Sequence, residues 1–462
     1  MEAMRKFLAL ILAILSLLML CACVDDETSE SSQDESGEQE LAFYETGDGA
    51  YAVGIGTATN ATSIVIPSVH NGKSVSRIYK EGFKGATRLK SVVIPASVRV
   101  IDDMAFSGCT ALESVSIIVD DEADRHLTTI GERAFEGCTA LKTVGIPSSV
   151  TVLGNGAFAN CPALSLTEHK NGLYLGNSAN PYLILITAKD KSALDFEAHL
   201  DTRLVHSQAF KECALKSITL PGGIISFGGG AFEGCKIDTV KYLGNAENWC
   251  RATFLSPDAN PLNGGASLYF DGALAKSIIV PNNISKINDY AFIGCASINS
   301  ISLPSDLSEI GKEAFKGCAA LESIRLSDGV KVIKSNAFEG CKNIHRVDLL
   351  GEIDALFAIT LENELSSPFG EGSDLYVGGE RVTELIISAS QDEIKPFALA
   401  NCTSIESVTI LGGASLTVGA GVFKGCTALT QINCVADEKP SSWHESWLDG
   451  CGATVSWGYT VQ

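Results

Sequence analysis

The chain is poor in the large residues that usually fill a thick globular core, with 4 Met, 4 Trp and 7% aromatics in 462 residues. It is also poor in positive charge. Against 55 Asp and Glu stand 34 Lys and Arg, for a formal net charge of −21; with no basic stripe, nucleic-acid backbones and anionic membrane surfaces are excluded as partners, since both need a basic footprint. Catalytic signatures are missing too. The seven histidines are scattered and none belongs to H-E-x-x-H, and neither a G-x-S-x-G elbow nor a P-loop occurs. Gly228-Gly229-Gly230 precedes Ala231-Phe232 without the Lys and helix that a phosphate cradle requires. No C-x-x-C pair follows the N-terminal region, so a zinc site is not expected. The expectation is a protein without cofactor, metal or catalytic role.

What the chain has in abundance is self-similarity. In Ser308 to Ile333, SEIGKEAFKGCAALESIRLSDGVKVI, Ile310 recurs as Ile333, and beyond the stretch Phe315 recurs as Phe338 and Cys318 as Cys341, a period of 23 residues. Repeats of 20 to 29 residues are the mark of a solenoid. Each unit holds two short apolar alternations and a compact turn. Leu321, Ile324 and Leu326 lie at positions 1, 4 and 6 of a strand frame, with Ser323 and Arg325 facing the other way. Ala314-Phe315-Lys316-Gly317-Cys318 is too short for a helix and reads as a turn that sends Phe315 and Cys318 inward, Gly317 permitting a left-handed backbone. One unit cannot bury these groups alone, so stability should come from nearest-neighbour stacking.

Taken in order, residues 1–22 read as an export signal, with Arg5 and Lys6 before the apolar run from Phe7 to Leu20. Leu20-Cys21-Ala22-Cys23 resembles a bacterial lipobox, which makes Cys23 the expected lipidation site and a lipid anchor the only expected membrane contact. Residues 23–40 hold eight carboxylates and no Lys or Arg, an acidic tether that cannot make a core. Residues 41–65 read as an N-terminal cap and 66–434 as the solenoid, interrupted near 162–206, 241–284 and 348–393. The spacing also widens at Asp120 to Arg125, which lacks the ligand order of a calcium loop. The last two long interruptions resemble each other, Leu268-Tyr269-Phe270-Asp271-Gly272 matching Leu375-Tyr376-Val377-Gly378-Gly379, which points to a duplicated module. Residues 435–462 carry three of the four tryptophans and read as a C-terminal cap.

Fifteen cysteines in an exported chain suggest disulfides, but ten of them, from Cys109 to Cys426, share one repeat position. A position so fixed reads as an internal column of unpaired thiols acting as small hydrophobes.

The pattern Ile-x-x-x-Ala-Phe-x-Gly-Cys-x-x-Leu-x-x-Val-x-Ile-Pro, best seen from Ile130 through Ala134, Phe135, Gly137, Cys138, Leu141, Val144, Ile146 and Pro147, resembles the BspA-like leucine-rich-repeat surface proteins over about Val65 to Cys434. The resemblance implies a β-rich leucine-rich-repeat solenoid with few helices, hairpin insertions and terminal caps. It also implies adhesion or recognition at a bacterial cell surface, with no shared catalytic residues. The expected working surface is the outward strand face. Most of its positions are small and hydroxylated, including Ser300, Ser302 and Ser323, while Lys241, Arg325, Arg346 and Asp348 stand out as candidate contacts. Trp249 is a further candidate contact on an insertion. The expected partner of this monomer is an extracellular protein or glycan; the competing expectation is a structural envelope or spacer protein without a specific ligand.

Overall fold

The computed structural model describes residues 40–119, 127–370 and 372–460. Cys23, the tether up to residue 39 and the widened stretch at 120–125 lie outside them. From Glu40 onward the described chain winds as a β-solenoid. Each regular coil places one strand of up to five residues in a long-strand ladder and one of two residues in a short-strand ladder. In the most regular stretch, Ser277–Ile279, Ser300–Ser302, Ser323–Leu326, Arg346–Leu349 and Asp374–Val377 pair in parallel, one coil to the next. Lys286–Ile287, Glu309–Ile310, Val332–Ile333 and Thr360–Leu361 do the same on the other side. Strand alternation puts Ile324 and Leu326 inside at 0% exposure and leaves Arg325 outside.

The turn after each short strand forms a third ladder. In the coil around Phe315, the N–H groups of Glu313, Phe315 and Gly317 donate to the carbonyls of Ser335, Ala337 and Glu339 in the next coil at 3.0, 2.9 and 2.7 Å. The alternate N–H groups of Ala314, Lys316 and Cys318 close bonds within the turn, to Gly311, Glu313 and Phe315. Aiming alternate amides both ways takes two left-handed residues. Gly317 is one, at φ 73°; Glu313 is the other, at φ 52°. The second position was not legible as a glycine signal, because it is filled by Glu81, Met104, Arg133, Gln208, Tyr290, Glu313, Asn336 and Phe397 in eight coils and by Gly156, Gly230 and Gly421 in three others.

Turn side chains stack as their backbones do. Phe83, Phe106, Phe135 and Phe158 form one column at centroid spacings of 5.0, 5.2 and 5.3 Å, and Phe292, Phe315 and Phe338 another at 5.4 and 5.3 Å. The cysteine column is unpaired, and its role goes beyond filling space. Cys318 Sγ donates to Phe292 O at 3.1 Å and Cys341 Sγ to Phe315 O at 3.0 Å, and Cys109, Cys138, Cys161, Cys235 and Cys426 repeat the contact. Burial pushes the Cys161 and Cys235 thiols up to about 11, so they stay protonated donors at neutral pH.

The interruptions belong to the winding. Near 162–206, Thr167–His169, Gly172–Leu175 and Ile184–Ala188 form an antiparallel sheet whose last strand pairs in parallel with Leu204–Val205 and enters the short-strand ladder. Near 241–284 the Phe-x-Gly-Cys turn is replaced by a helix, α1 (Ala246–Arg251), and a 3-10 turn, Pro257–Ala259, while Thr239–Leu243 still pairs with Ser267–Phe270. Near 348–393, α2 (Ile353–Phe357) and Glu364–Ser366 repeat this arrangement. In both, a two-residue hairpin strand, Ala273–Leu274 or Glu380–Arg381, then ends the long ladder, which restarts at Ser277 or Glu384. At the C-terminal end the ladder runs past 434, since Thr454–Ser456 pairs with Gln431–Cys434. In the last turn Leu448 holds the Phe position, and Trp447 before it packs against Trp443 at 4.8 Å, closing the stack with Trp457.

Two outcomes are expected from this packing. Phe315→Ala should lower stability by about 3 to 5 kcal/mol, read from denaturant unfolding; an unchanged midpoint would contradict the column. Met104→Gly, which relieves a left-handed non-glycine residue at φ 55°, should raise the melting temperature through a net gain of up to about 1 kcal/mol.

Candidate functional site

The long-strand ladder turns one continuous face outward, and its parallel register lines up corresponding residues of successive coils. One row reads Ser277, Ser300, Ser323, Arg346, Asp374; the next reads Ile279, Ser302, Arg325, Asp348, Tyr376. The candidates Ser300, Ser302, Ser323, Arg325, Arg346 and Asp348 are therefore brought together on three neighbouring strands. Lys241 is on the same kind of face but in an earlier stretch, in the row Glu197, Thr219, Lys241, Tyr269.

The charged candidates fall into two states. Arg346 is satisfied within its own strand: its Nε and Nη2 reach the two carboxylate oxygens of Asp348 at 2.7 Å each, and its guanidinium lies 3.8 Å from the Tyr376 ring centroid. The Asp348 carboxylate pushes the guanidinium pKa up still further. Asp374 and Arg381 form a second fork beside it, at 2.8 and 3.2 Å. Arg325 and Lys241, in contrast, are exposed and have no hydrogen-bonded or ionic partner among the described residues. Lys241 borders a groove of about 450 Å³ floored by Ser217 and Thr219 and walled by Lys170, Asn171, Asp195 and Glu197. Part of the hydroxyl row is self-satisfied, with Ser300 Oγ donating to Ser277 Oγ at 2.9 Å and Ser91 Oγ to Ser63 Oγ at 2.8 Å.

Sequence reasoning missed the apolar members of this face. Ile279 is 75% exposed and Ile386 64%, each at the first strand after a restart of the ladder. Tyr269 and Tyr376 occupy equivalent hairpin strands beside them. The signal was present in the duplicated Leu-Tyr pairs, but only the sheet break shows that these positions face outward.

The family model of BspA-type leucine-rich repeat regions matches residues 56–181, 192–257, 266–364 and 372–451, about four fifths of the chain, in six copies. The chain belongs to this family. Among solved structures, it is similar to a leucine-rich repeat protein from Bacteroides ovatus, 21% identical over 92% of this chain and 100% of that one, with a TM-score of 0.34. It is similar as well to a leucine-rich cell-surface protein from Faecalibacterium prausnitzii, at 20% identity over 93% and 99% of the two chains and a TM-score of 0.29. The pneumococcal vaccine antigen PcpA is 15% identical over 91% and 97%, with a TM-score of 0.28. No curated protein matches the chain.

Within this BspA-type repeat array, Trp249 does not offer the contact expected of it. It is 0% exposed, and its indole N–H donates to Ala291 O at 2.7 Å while Tyr242 packs edge-on at 5.0 Å. Asn260 donates to the same carbonyl at 2.9 Å and to Tyr290 O at 2.8 Å. In a regular coil the carbonyl equivalent to Ala291 O accepts the N–H of the preceding Phe, as Ala314 O does from Phe292 at 2.7 Å. The coil with α1 has no such Phe, so side chains of the insertion supply the donors. The adjacent Cys250 thiol is pushed up to about 12 by burial.

The histidines do not form one centre. His169, Tyr182 and His199 cluster on the hairpin sheet, His199 stacking on Tyr182 at 3.6 Å, while His206 is buried elsewhere. Trp249→Phe keeps the ring and removes the N–H; it should cost about 1 to 3 kcal/mol in unfolding experiments without altering binding of any surface partner.

Proposed function

We propose that this BspA-type protein is a non-catalytic recognition or adhesion protein of the bacterial cell surface, binding an extracellular protein or glycan through its outward strand face. The observation that carries this reading is the pair of unpartnered cations on that face. Arg346 is neutralised by Asp348 and Lys170 by Glu197 at 2.6 Å, yet Arg325, between Ser302 and Asp348 in its row, and Lys241, beside Thr219, stay exposed. On this reading a lipid on Cys23 holds the protein to the membrane, with the acidic tether as spacer. No helix among the described residues is long and apolar enough to cross a membrane.

The hydroxyl bonds between Ser277 and Ser300 and between Ser63 and Ser91 favour a second reading. There the row serves strand stacking only, and the protein is an envelope or spacer component. Screening residues 41–462 against glycans and extracellular-matrix proteins at physiological salt distinguishes the two. Recognition predicts a saturable partner whose affinity falls at least tenfold with Arg325→Glu or Lys241→Glu. A folded protein with no partner in the screen supports the spacer, and a partner indifferent to both charge reversals removes this face from consideration.

A further inference from the structure

Three breaks interrupt the ladders, and the first is unlike the others. Across the later two, buried apolar side chains continue in one cluster from Tyr174 to Trp447. At the first, the core divides. Leu153 and Phe158 lie at the end of a cluster that starts at Tyr51, and the second cluster begins with Tyr174, Leu185 and Val205. The division runs through single strands: Ile184 and Leu204 belong to the first core, and their chain neighbours Leu185 and Val205 to the second. Alternate residues of a strand face opposite ways, so these strands form a wall with one solenoid block packed on each side.

Across this wall the turn ladder is carried by side chains. Phe106 and Phe135 donate their N–H groups to the carbonyls of Ala134 and Ala157 at 2.7 and 2.8 Å. Phe158 N–H instead meets His206 Nε2 at 3.4 Å, Gly156 N–H meets Ser207 Oγ at 2.8 Å, and Gly229 N–H reaches back to Asn155 Oδ1 at 2.7 Å. His206 Nδ1 lies 2.9 Å from Ser207 O, a contact that needs its proton and leaves the lone pair on Nε2. Only the neutral ring can fill both roles.

We propose that residues 154–207 form a proton-sensitive joint between two solenoid blocks. Protonation of His206 replaces the acceptor facing Phe158 N–H with a second donor, and the joint loosens while each block stays folded. The ring is 6% exposed, and burial, partly offset by the Ser207 carbonyl, pulls its pKa down to about 4. A ring freed by opening returns to about 6.5. Protons therefore bind the open joint preferentially, stabilising it as the pH falls from about 6.5 toward 4, by roughly a hundredfold between pH 7 and pH 4.

The charged groups around the joint do not touch the ring. Glu132, Arg133 and Glu136 line the adjacent cleft of about 610 Å³, Arg133 Nε lying 3.8 Å from a carboxylate oxygen of each. On the other side Lys211 pairs with Glu233 at 3.1 Å. Replacing the imidazole alone thus isolates its contribution.

Hydrogen–deuterium exchange of the full chain at pH 7 and pH 4, corrected for intrinsic rates, tests the joint. Protection of the amides in 154–160 should fall by up to about a hundredfold at pH 4, while in the turn 311–318 the amides of Glu313 to Cys318, all held by backbone carbonyls, keep theirs. His206→Gln, whose amide oxygen accepts a hydrogen bond without titrating, should abolish the difference. Unchanged protection in 154–160, a parallel loss in 311–318, or an equal fall in His206→Gln would each overturn the proposal. Should the variant not fold, the comparison of the two peptides in the native chain decides.

Discussion

Every coil depends on amide groups that only the next coil can satisfy. The two strand ladders and the turn ladder direct backbone N–H groups along the solenoid axis, and a coil taken by itself would leave them unpaired around half-buried phenylalanine and cysteine side chains. This explains why the turn is so uniform. It must send alternate amides forward and back, which sets two left-handed residues in a five-residue span, and in the regular coils it also brings the Cys Sγ to the Phe carbonyl of the coil before.

The same constraint governs the irregular places. Where the Phe-x-Gly-Cys turn is lost, the orphaned carbonyl of Ala291 does not stay unpaired; Trp249 and Asn260 reach it from the insertion. Where two blocks meet at different faces of a strand wall, His206, Ser207 and Asn155 stand in for backbone partners. A backbone carbonyl has no protonation switch, whereas an imidazole does. Substituting one for the other makes that junction responsive to pH in a way that the regular coils are not.

The outward face carries much less constraint, which leaves room for function. Its residues need only tolerate close strand spacing, and serine and threonine do so. Against that bland background the charged residues separate by whether the fold has already used them. Arg346 is held by Asp348 and Tyr376, and Arg381 by Asp374. Arg325 and Lys241 are left exposed.

The amino-acid sequence determined the solenoid, its 23-residue period, the inward Phe and Cys columns and the outward strand rows, because each follows from a local pattern repeated many times. It could not show that Trp249 is buried, that Arg346 and Asp348 neutralise each other, or that Ile279 and Ile386 lie exposed at ladder restarts. Those outcomes depend on which coil sits beside which. Likewise, the division of the core at Ile184 and Leu185 is invisible in a run of apolar residues, since only the tertiary structure decides that neighbouring side chains enter different cores. Periodicity encodes nearest-neighbour stacking along the chain; a contact made once, between segments dozens of residues apart, leaves no repeat to read.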